Sequence, residues 1–316
     1  MLYLKTLTNK KILERWICMN KNVSKKSIYS NIQDAAIEIK REVEEAIKIG
    51  GYEKFNSLLR GSHYVMPIHE VVKLGFKNYG VKPELINPKL GERNGEVTIY
   101  GSRTSKKVDV VITPENIEKR PYVVNVSETR KNKRIDPYGI EYTENCICVD
   151  VKCPLVSIGK NSNTLFETFS GQTLDKKSRC PKIVIGNIVV IPLYEYDTEA
   201  MKNGEVKFSK KQTNIEKYLE QLNKLQRLSD YSDFLSTDLN DKVCLVVIDF
   251  SSDKPHVFKT HKELVESGIV SSNFPSEFSY DNINLSNFIS SILNKYQNVH
   301  NIENIMKKKY AVKKKG

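Results

Sequence analysis

The sequence predicts an α/β fold, and three observations carry that reading. Apolar residues recur at three- and four-residue steps over residues 27–50, 67–79 and 213–228, the spacing of amphipathic helices. Two β-branched runs, Pro181-Lys-Ile-Val-Ile-Gly-Asn-Ile-Val-Val-Ile-Pro192 and Val243-Cys-Leu-Val-Val-Ile248, have the composition of buried strands. Helix signals precede, separate and follow the strand signals along the chain, as they do where helices cover the faces of a sheet.

In the first helix Ile28, Ile32, Ala36, Ile39, Val43 and Ile47 form the apolar stripe, and Gly50-Gly51 is the expected stop. Residues 67–79 repeat the pattern with Ile68, Val71, Val72 and Phe76, and Gly80 ends the helix. Residues 81–95, rich in Pro, Asn, Lys and Gly, read as a loop. Strands are expected at 96–101, 108–113, 122–126 and 145–151, the first two as a hairpin-like pair. Thr129-Arg-Lys-Asn-Lys-Arg134 then reads in two ways: as a solvated loop, or as an arm in which Arg130, Lys131, Lys133 and Arg134 contact phosphates.

After Pro154, Lys160-Asn-Ser-Asn163 is a polar segment whose Ser162 or Asn163 caps a short helix over 164–174. The 181–192 run is one strand or a strand pair, interrupted at Gly186-Asn187. Helix 213–228 carries Ile215, Leu219, Leu222 and Leu225, strand 243–248 follows, and helices near 260–267 and 285–297 come last. The polar, lysine-rich stretch 198–212 is the expected boundary. It divides the chain into an N-terminal helical region (1–60), a core (61–200) and a C-terminal α/β extension (205–316) that packs on the core as one domain or stands apart.

A chain of 316 residues is long enough for one large or two modest domains. No run approaches the roughly 18–20 apolar residues of a membrane span, so no membrane partner is expected. The first residues lack the continuous apolar segment of a secretion signal, and the cytoplasm is the expected compartment. The formal charge is +12, from 50 Lys and Arg against 38 Asp and Glu, which favours polyanionic partners such as nucleic acid. Part of that excess lies in the lysines of residues 307–315, which read as a disordered tail. Of the six cysteines, Cys146 and Cys148 have the wrong spacing for a zinc knuckle, and the histidines show no matching pair beside them. Within apolar strands a cysteine acts as a small hydrophobe.

The chemistry-bearing residues lie on two strands. Asp109 heads the apolar run that begins in Lys107-Val-Asp-Val-Val-Ile112, and Cys146-Ile-Cys-Val-Asp-Val-Lys152 carries Asp150 and Lys152. Strand side chains alternate, so Asp150 and Lys152 project to one side while Val149 and Val151 project to the other. Two carboxylates and an ammonium converging at a sheet edge suit a hard divalent cation, a water and a phosphodiester.

The order helix, strand, strand headed by Asp109, strand with Asp150-Val-Lys152, helix, strand resembles the PD-(D/E)XK nuclease superfamily, and within it the type II restriction endonucleases. The similarity covers roughly residues 61–196. It departs from the motif in that Val108 stands where proline is usual and the gap from Asp109 to Asp150 is long. The resemblance implies a restriction-endonuclease-like core, a mixed central β-sheet flanked by helices, that hydrolyses double-stranded DNA with Mg²⁺. Asp109, Asp150, the Val151 carbonyl and the helix acid Glu70 would hold the metal, and Lys152 would act on the attacking water and the phosphate. It further implies 5′-phosphate ends, a homodimer, and a cognate DNA methyltransferase in the same system. Lys160, Asn161 and Asn163 join residues 130–134 as candidate DNA contacts. A solvent-facing Glu70 beside Lys73 and Lys77 is the alternative to a metal ligand. Asp136, within Ile135-Asp-Pro-Tyr-Gly139, reads as a turn aspartate, and His63 and His69 read as cap or surface groups. Three rivals stay open: a structure-selective repair, recombination or phage-type nuclease, a non-enzymatic nucleic-acid-binding protein, and an α/β domain in which Asp150 and Lys152 form only a surface pair.

Overall fold

The computed structural model describes residues 31–61, 63–92, 94–124, 134–227 and 241–306. Its helices are α1 (Ile32–Gly61), α2 (Met66–Asn78), α3 (Ile140–Glu144), α4 (Ile158–Arg179), α5 (Thr198–Lys202), α6 (Ile215–Arg227), α7 (His261–Glu266) and α8 (Phe288–Val299). Its strands are β1 (Ile86–Asn87), β2 (Thr98–Tyr100), β3 (Ser105–Lys107), β4 (Val110–Ile112), β5 (Tyr122–Val124) and β6 (Arg134–Asp136), then β7 (Ile147–Lys152), β8 (Val184–Pro192), β9 (Tyr194–Tyr196), β10 (Phe208–Gln212), β11 (Lys242–Asp249) and β12 (His256–Val257). The α/β expectation holds at this level. A six-stranded mixed sheet, in the order β1-β4-β7-β8-β11-β12, is flanked by helices.

Within the sheet β1, β4 and β7 pair antiparallel, β7, β8 and β11 pair parallel, and β12 closes the far edge antiparallel to β11. Alternation sorts the side chains into two layers. Val149, Val151, Val190, Cys244 and Val246 join the cluster that includes Ile39 and Val43 of α1, Ile68 and Val72 of α2, and Phe288 and Ile292 of α8. On the other face Val189, Ile191, Leu245 and Val247 meet Leu219 and Leu222 of α6. Val111, Cys148 and Ile185 form a third cluster with Ile99 and Val108. Among the described residues, no helix is long and apolar enough to cross a membrane. Cys146, Cys148, Cys153, Cys180 and Cys244 are buried and unbridged.

Several expected boundaries move, each for a local reason. Gly50-Gly51 breaks α1 without ending it: Gly51 has φ +57, and a Cβ there would lie 2.6 Å from the Met201 carbonyl, so the chain turns at the glycines and resumes as helix. The expected 96–101/108–113 hairpin is really β2 with β3, Thr98 opposite Lys107. Val110–Ile112 instead enters the main sheet, pairing with β7 and with β1, and β1 occupies part of the expected loop 81–95. Among the described residues β5 pairs only with β6, as an antiparallel pair apart from the central sheet. Gly186-Asn187 does not interrupt β8. A Cβ at Gly186 would come within 2.4 Å of Ile292 and 2.7 Å of Phe288, so the glycine admits α8 onto a continuous strand. Across the expected boundary at 198–212, β11 pairs with β8 from Lys242↔Gly186 to Ile248↔Pro192, so residues on both sides share one sheet.

Candidate active site

The two acids meet where β4 and β7 part. Their ladder ends at Val110↔Val149, and one step further Asp109 comes opposite Asp150. There the Asp109 side chain takes over from the strand pairing: its Oδ2 accepts a hydrogen bond from the Val151 N–H at 2.7 Å. In an antiparallel strand the N–H and C=O of one residue point the same way, so the Val151 carbonyl faces the same gap. Asp109 is partly exposed and Asp150 is 1% exposed, with Cys148 two residues before it in the buried cluster.

Burial by itself would push the Asp150 carboxyl up, but two ammonium groups hold it below its ordinary value. Lys176 of α4 donates to Oδ2 at 2.8 Å, and Lys106 of β3 donates to Oδ1 at 2.8 Å. Lys106 also donates to Gln172 Oε1 at 2.7 Å, one helical turn before Lys176. Burial and the neighbouring Lys152 and Lys176 hold Lys106 below its usual value, with Asp150 opposing, whereas Asp150 overcomes the burial of Lys176 and raises it. The β2–β3 hairpin that supplies Lys106 is pinned to α4. Asp175 accepts from Arg103 N, Thr104 N, Ser102 Oγ and Thr104 Oγ1, and Arg179 donates to the Tyr100 carbonyl.

The remaining expected residues separate into those at the site and those elsewhere. Lys152 is half-buried, forms no ion pair among the described residues, and lines a groove of about 610 Å³ beside β7. Asn161, Thr164 and Thr168 of α4 line the same groove. α4 begins at Ile158, not at residue 164, so Lys160, Asn161 and Asn163 lie within its first turns, all exposed. Ser162 is not a cap: it is buried, donates to the Gly159 carbonyl and accepts from Lys217. Arg134 is exposed and donates to Ser105 of the Lys106 strand. Arg130, Lys131 and Lys133 lie outside the described residues, as do residues 307–315.

Glu70 is not solvent-facing. It is 9% exposed, accepts from Gly91 N at 2.9 Å and pairs with the fully buried Lys73, whose ammonium also donates to the Lys89 carbonyl. Those bonds tie α2 to the 89–92 segment. Asp136 is buried, receives a 2.6 Å bond from Arg179 and accepts from Tyr138 N, the short-range turn bond its sequence suggests. His69 is the clearest correction among the side chains. It is neither cap nor surface group but 6% exposed, with Nε2 accepting or donating no hydrogen bond among the described residues and lying 4.0 Å from Asp109 Oδ2. Burial keeps the ring below its usual pKa, with Asp109 opposing.

His69, Lys106, Gln172 and Lys176, none of them among the site residues expected from the sequence, thus stand beside Asp109, Asp150, the Val151 backbone and Lys152. For the two on α4, Gln172 and Lys176, the sequence carries a signal. Asn161, Thr164, Thr168, Gln172 and Lys176 follow one another at helical steps of three and four, a polar stripe that runs from exposed Asn161 and Thr164 to buried Lys176. For a hard divalent cation the donors fit in kind: carboxylates from neighbouring strands, a carbonyl facing the same gap, and one carboxylate that already gathers two positive charges. No group of three or more His, Cys, Asp or Glu side chains placed to hold a metal occurs among the described residues, so waters and substrate oxygens would have to complete such a shell. Comparison with family models, curated proteins and solved structures gives no match for this chain.

Proposed function

We propose that the protein is a metal-dependent nuclease hydrolysing phosphodiester bonds of double-stranded DNA. The observation that carries this reading is the meeting of Asp109 and Asp150 at the parting of β4 and β7, with the Val151 backbone between them and Lys152 next on the strand. The connectivity supports it: α2, β1, β4, β7, α4 and β8 follow the helix–strand–strand–strand–helix–strand order of the PD-(D/E)XK superfamily. In its particular form the reading is a type II restriction endonuclease, acting as a homodimer on a palindromic site beside a cognate methyltransferase and leaving 5′-phosphates.

Asp109, Asp150 and the Val151 carbonyl would hold Mg²⁺, which when bound polarises the phosphate and lowers the pKa of a bound water. Lys152, free of ion pairs among the described residues, orients the attacking water and offsets charge that develops on the phosphoryl oxygens. The groove alongside gives the cut strand a course past Lys152 to the amide of Asn161 and the hydroxyls of Thr164 and Thr168. Glu70 stays in this scheme as a brace for the 89–92 segment.

A second reading has its own support: both Asp150 oxygens are occupied by ammonium groups, as in a structural ionic node of a DNA-binding protein that does not cut. Incubating the purified protein with plasmid and phage DNA, with and without Mg²⁺, and sequencing the ends separates the two. Discrete Mg²⁺-dependent fragments, lost in Lys152→Ala, support the restriction reading, and smears or nicks support a structure-selective nuclease. Binding without any cleavage refutes the nuclease.

A further inference from the structure

The occupancy of Asp150 has a consequence for substrate binding, one that rests on the nuclease reading. Asp150 is the most buried acid of the site, and each of its oxygens faces one lysine at 2.8 Å. The two lysines are not equivalent. Lys176 lies on the long helix α4, 3% exposed, with its whole stem enclosed. Lys106 comes from the short β2–β3 hairpin, its side chain is 26% exposed, and its other partner, Gln172, is neutral. It also lies near enough to Lys152 for the two ammonium groups to repel. Lys106 is therefore the cation that can leave.

We infer that Lys106 is a second phosphate-binding residue, held on Asp150 in the free protein and transferred to a DNA phosphate when substrate arrives. Its departure frees Oδ1 for the metal, so metal loading and DNA binding are coupled. Lys176 remains as the positioning residue that fixes Oδ2. The driving force is the exchange of anions: an arriving phosphate offers Lys106 a partner, and the vacated carboxylate oxygen attracts a divalent ion more strongly than a monovalent ammonium. Two lysines, Lys106 and Lys152, then face the phosphate, while without DNA the site resists metal.

Mn²⁺ binding by calorimetry tests this on the full chain, with phosphorothioate-substituted linear plasmid fragments as the DNA probe. The free wild-type protein should bind Mn²⁺ weakly. Lys106→Met keeps the length but removes the competing charge, and should bind it at least about tenfold more tightly. Lys106→Arg keeps the charge and should stay close to wild type. Adding the DNA probe should tighten Mn²⁺ binding by the wild type and much less by Lys106→Met, whose DNA affinity should fall and whose salt dependence of binding should lose about one unit of slope. Circular dichroism establishes that each variant is folded. Equal Mn²⁺ affinity of folded wild type and Lys106→Met overturns the inference while leaving the nuclease standing. Mn²⁺ binding in none of the proteins, with or without DNA, overturns the nuclease reading itself and the inference with it.

Discussion

Removing the Asp150 carboxylate should destabilise the fold far more than removing the Lys152 ammonium, although both stand on one strand. Asp150 is 1% exposed and receives two charge-assisted bonds of 2.8 Å. In Asp150→Ala, Lys106 can turn toward water, but Lys176 is 3% exposed and is left as a buried, unpaired charge. Breaking a buried pair from one side costs about 3–5 kcal/mol. Lys152 is half-buried and has no ion-pair partner among the described residues, so Lys152→Ala should cost at most about 1 kcal/mol. At about 2–4 °C per kcal/mol, Asp150→Ala should lower Tm by at least roughly 6 °C while Lys152→Ala shifts it by only a few degrees. A double variant, Asp150→Ala with Lys176→Met, removes the stranded charge and should recover a large part of the loss, a coupling of about 2 kcal/mol or more. Thermal and urea unfolding followed by circular dichroism read all three. An Asp150→Ala protein within about 1 kcal/mol of wild type, or strictly additive single and double variants, would refute the ionic-node argument.

Three further predictions concern the surroundings of the site. His69→Phe should be neutral to within about 1 kcal/mol at pH 7, because it removes a buried nitrogen that makes no hydrogen bond among the described residues. The native ring titrates below the ordinary value of 6.5, so the unfolded chain takes up its proton first as pH falls. Wild-type stability should therefore decline from about pH 6.5 downward in a way that His69→Phe does not share, and identical pH profiles would refute the assignment. Asp175→Ala should loosen the β2–β3 hairpin, read as faster amide exchange at Ile99 and Lys106 with β8 unaffected. Burial opposes the ionised form of Asp175, but its hydrogen bonds win and depress its pKa, so the bracing is present above the ordinary carboxylate value of 3.8 and is lost as pH falls through the lowered one. Gly186→Ala should cost about 1–3 kcal/mol by forcing Ile292 and Phe288 away from β8, and a variant as stable as wild type by urea denaturation would contradict the close packing of α8.

Much of the element order could be read in the chain because each element advertises its own period. The α2 stripe Ile68, Val72 and Phe76 lies on the buried face, and β7, β8 and β11 occupy the β-branched runs. What failed was pairing. Residues 98–100 and 105–107 are short and polar on one face, so nothing local told whether 98–100 would pair with 105–107 or with 110–112. The sheet decided it, because only Val110–Ile112 is apolar enough to lie between β1 and β7. α4 extends beyond its expected span at both ends because Lys160-Asn-Ser-Asn163 and Lys176-Lys-Ser-Arg179 look like loop, and the burial of Ser162 beside Lys217, of Lys176 against Asp150 and of Lys177 against Asp241 is a tertiary fact.

The sequence by itself determined the α/β class, the strand that carries Asp150, the strand that Asp109 precedes, and the side of β7 that Asp150 and Lys152 share, since alternation along a strand is a property of the backbone. Only the tertiary structure decided the company those residues keep. Lys106, Gln172, Lys176 and His69 come from a hairpin and two helices far from Asp150 in the chain, and their charges matter because the fold excludes water around one carboxylate. Long-range electrostatics of that kind has no sequence period, so it becomes legible only once the elements are packed.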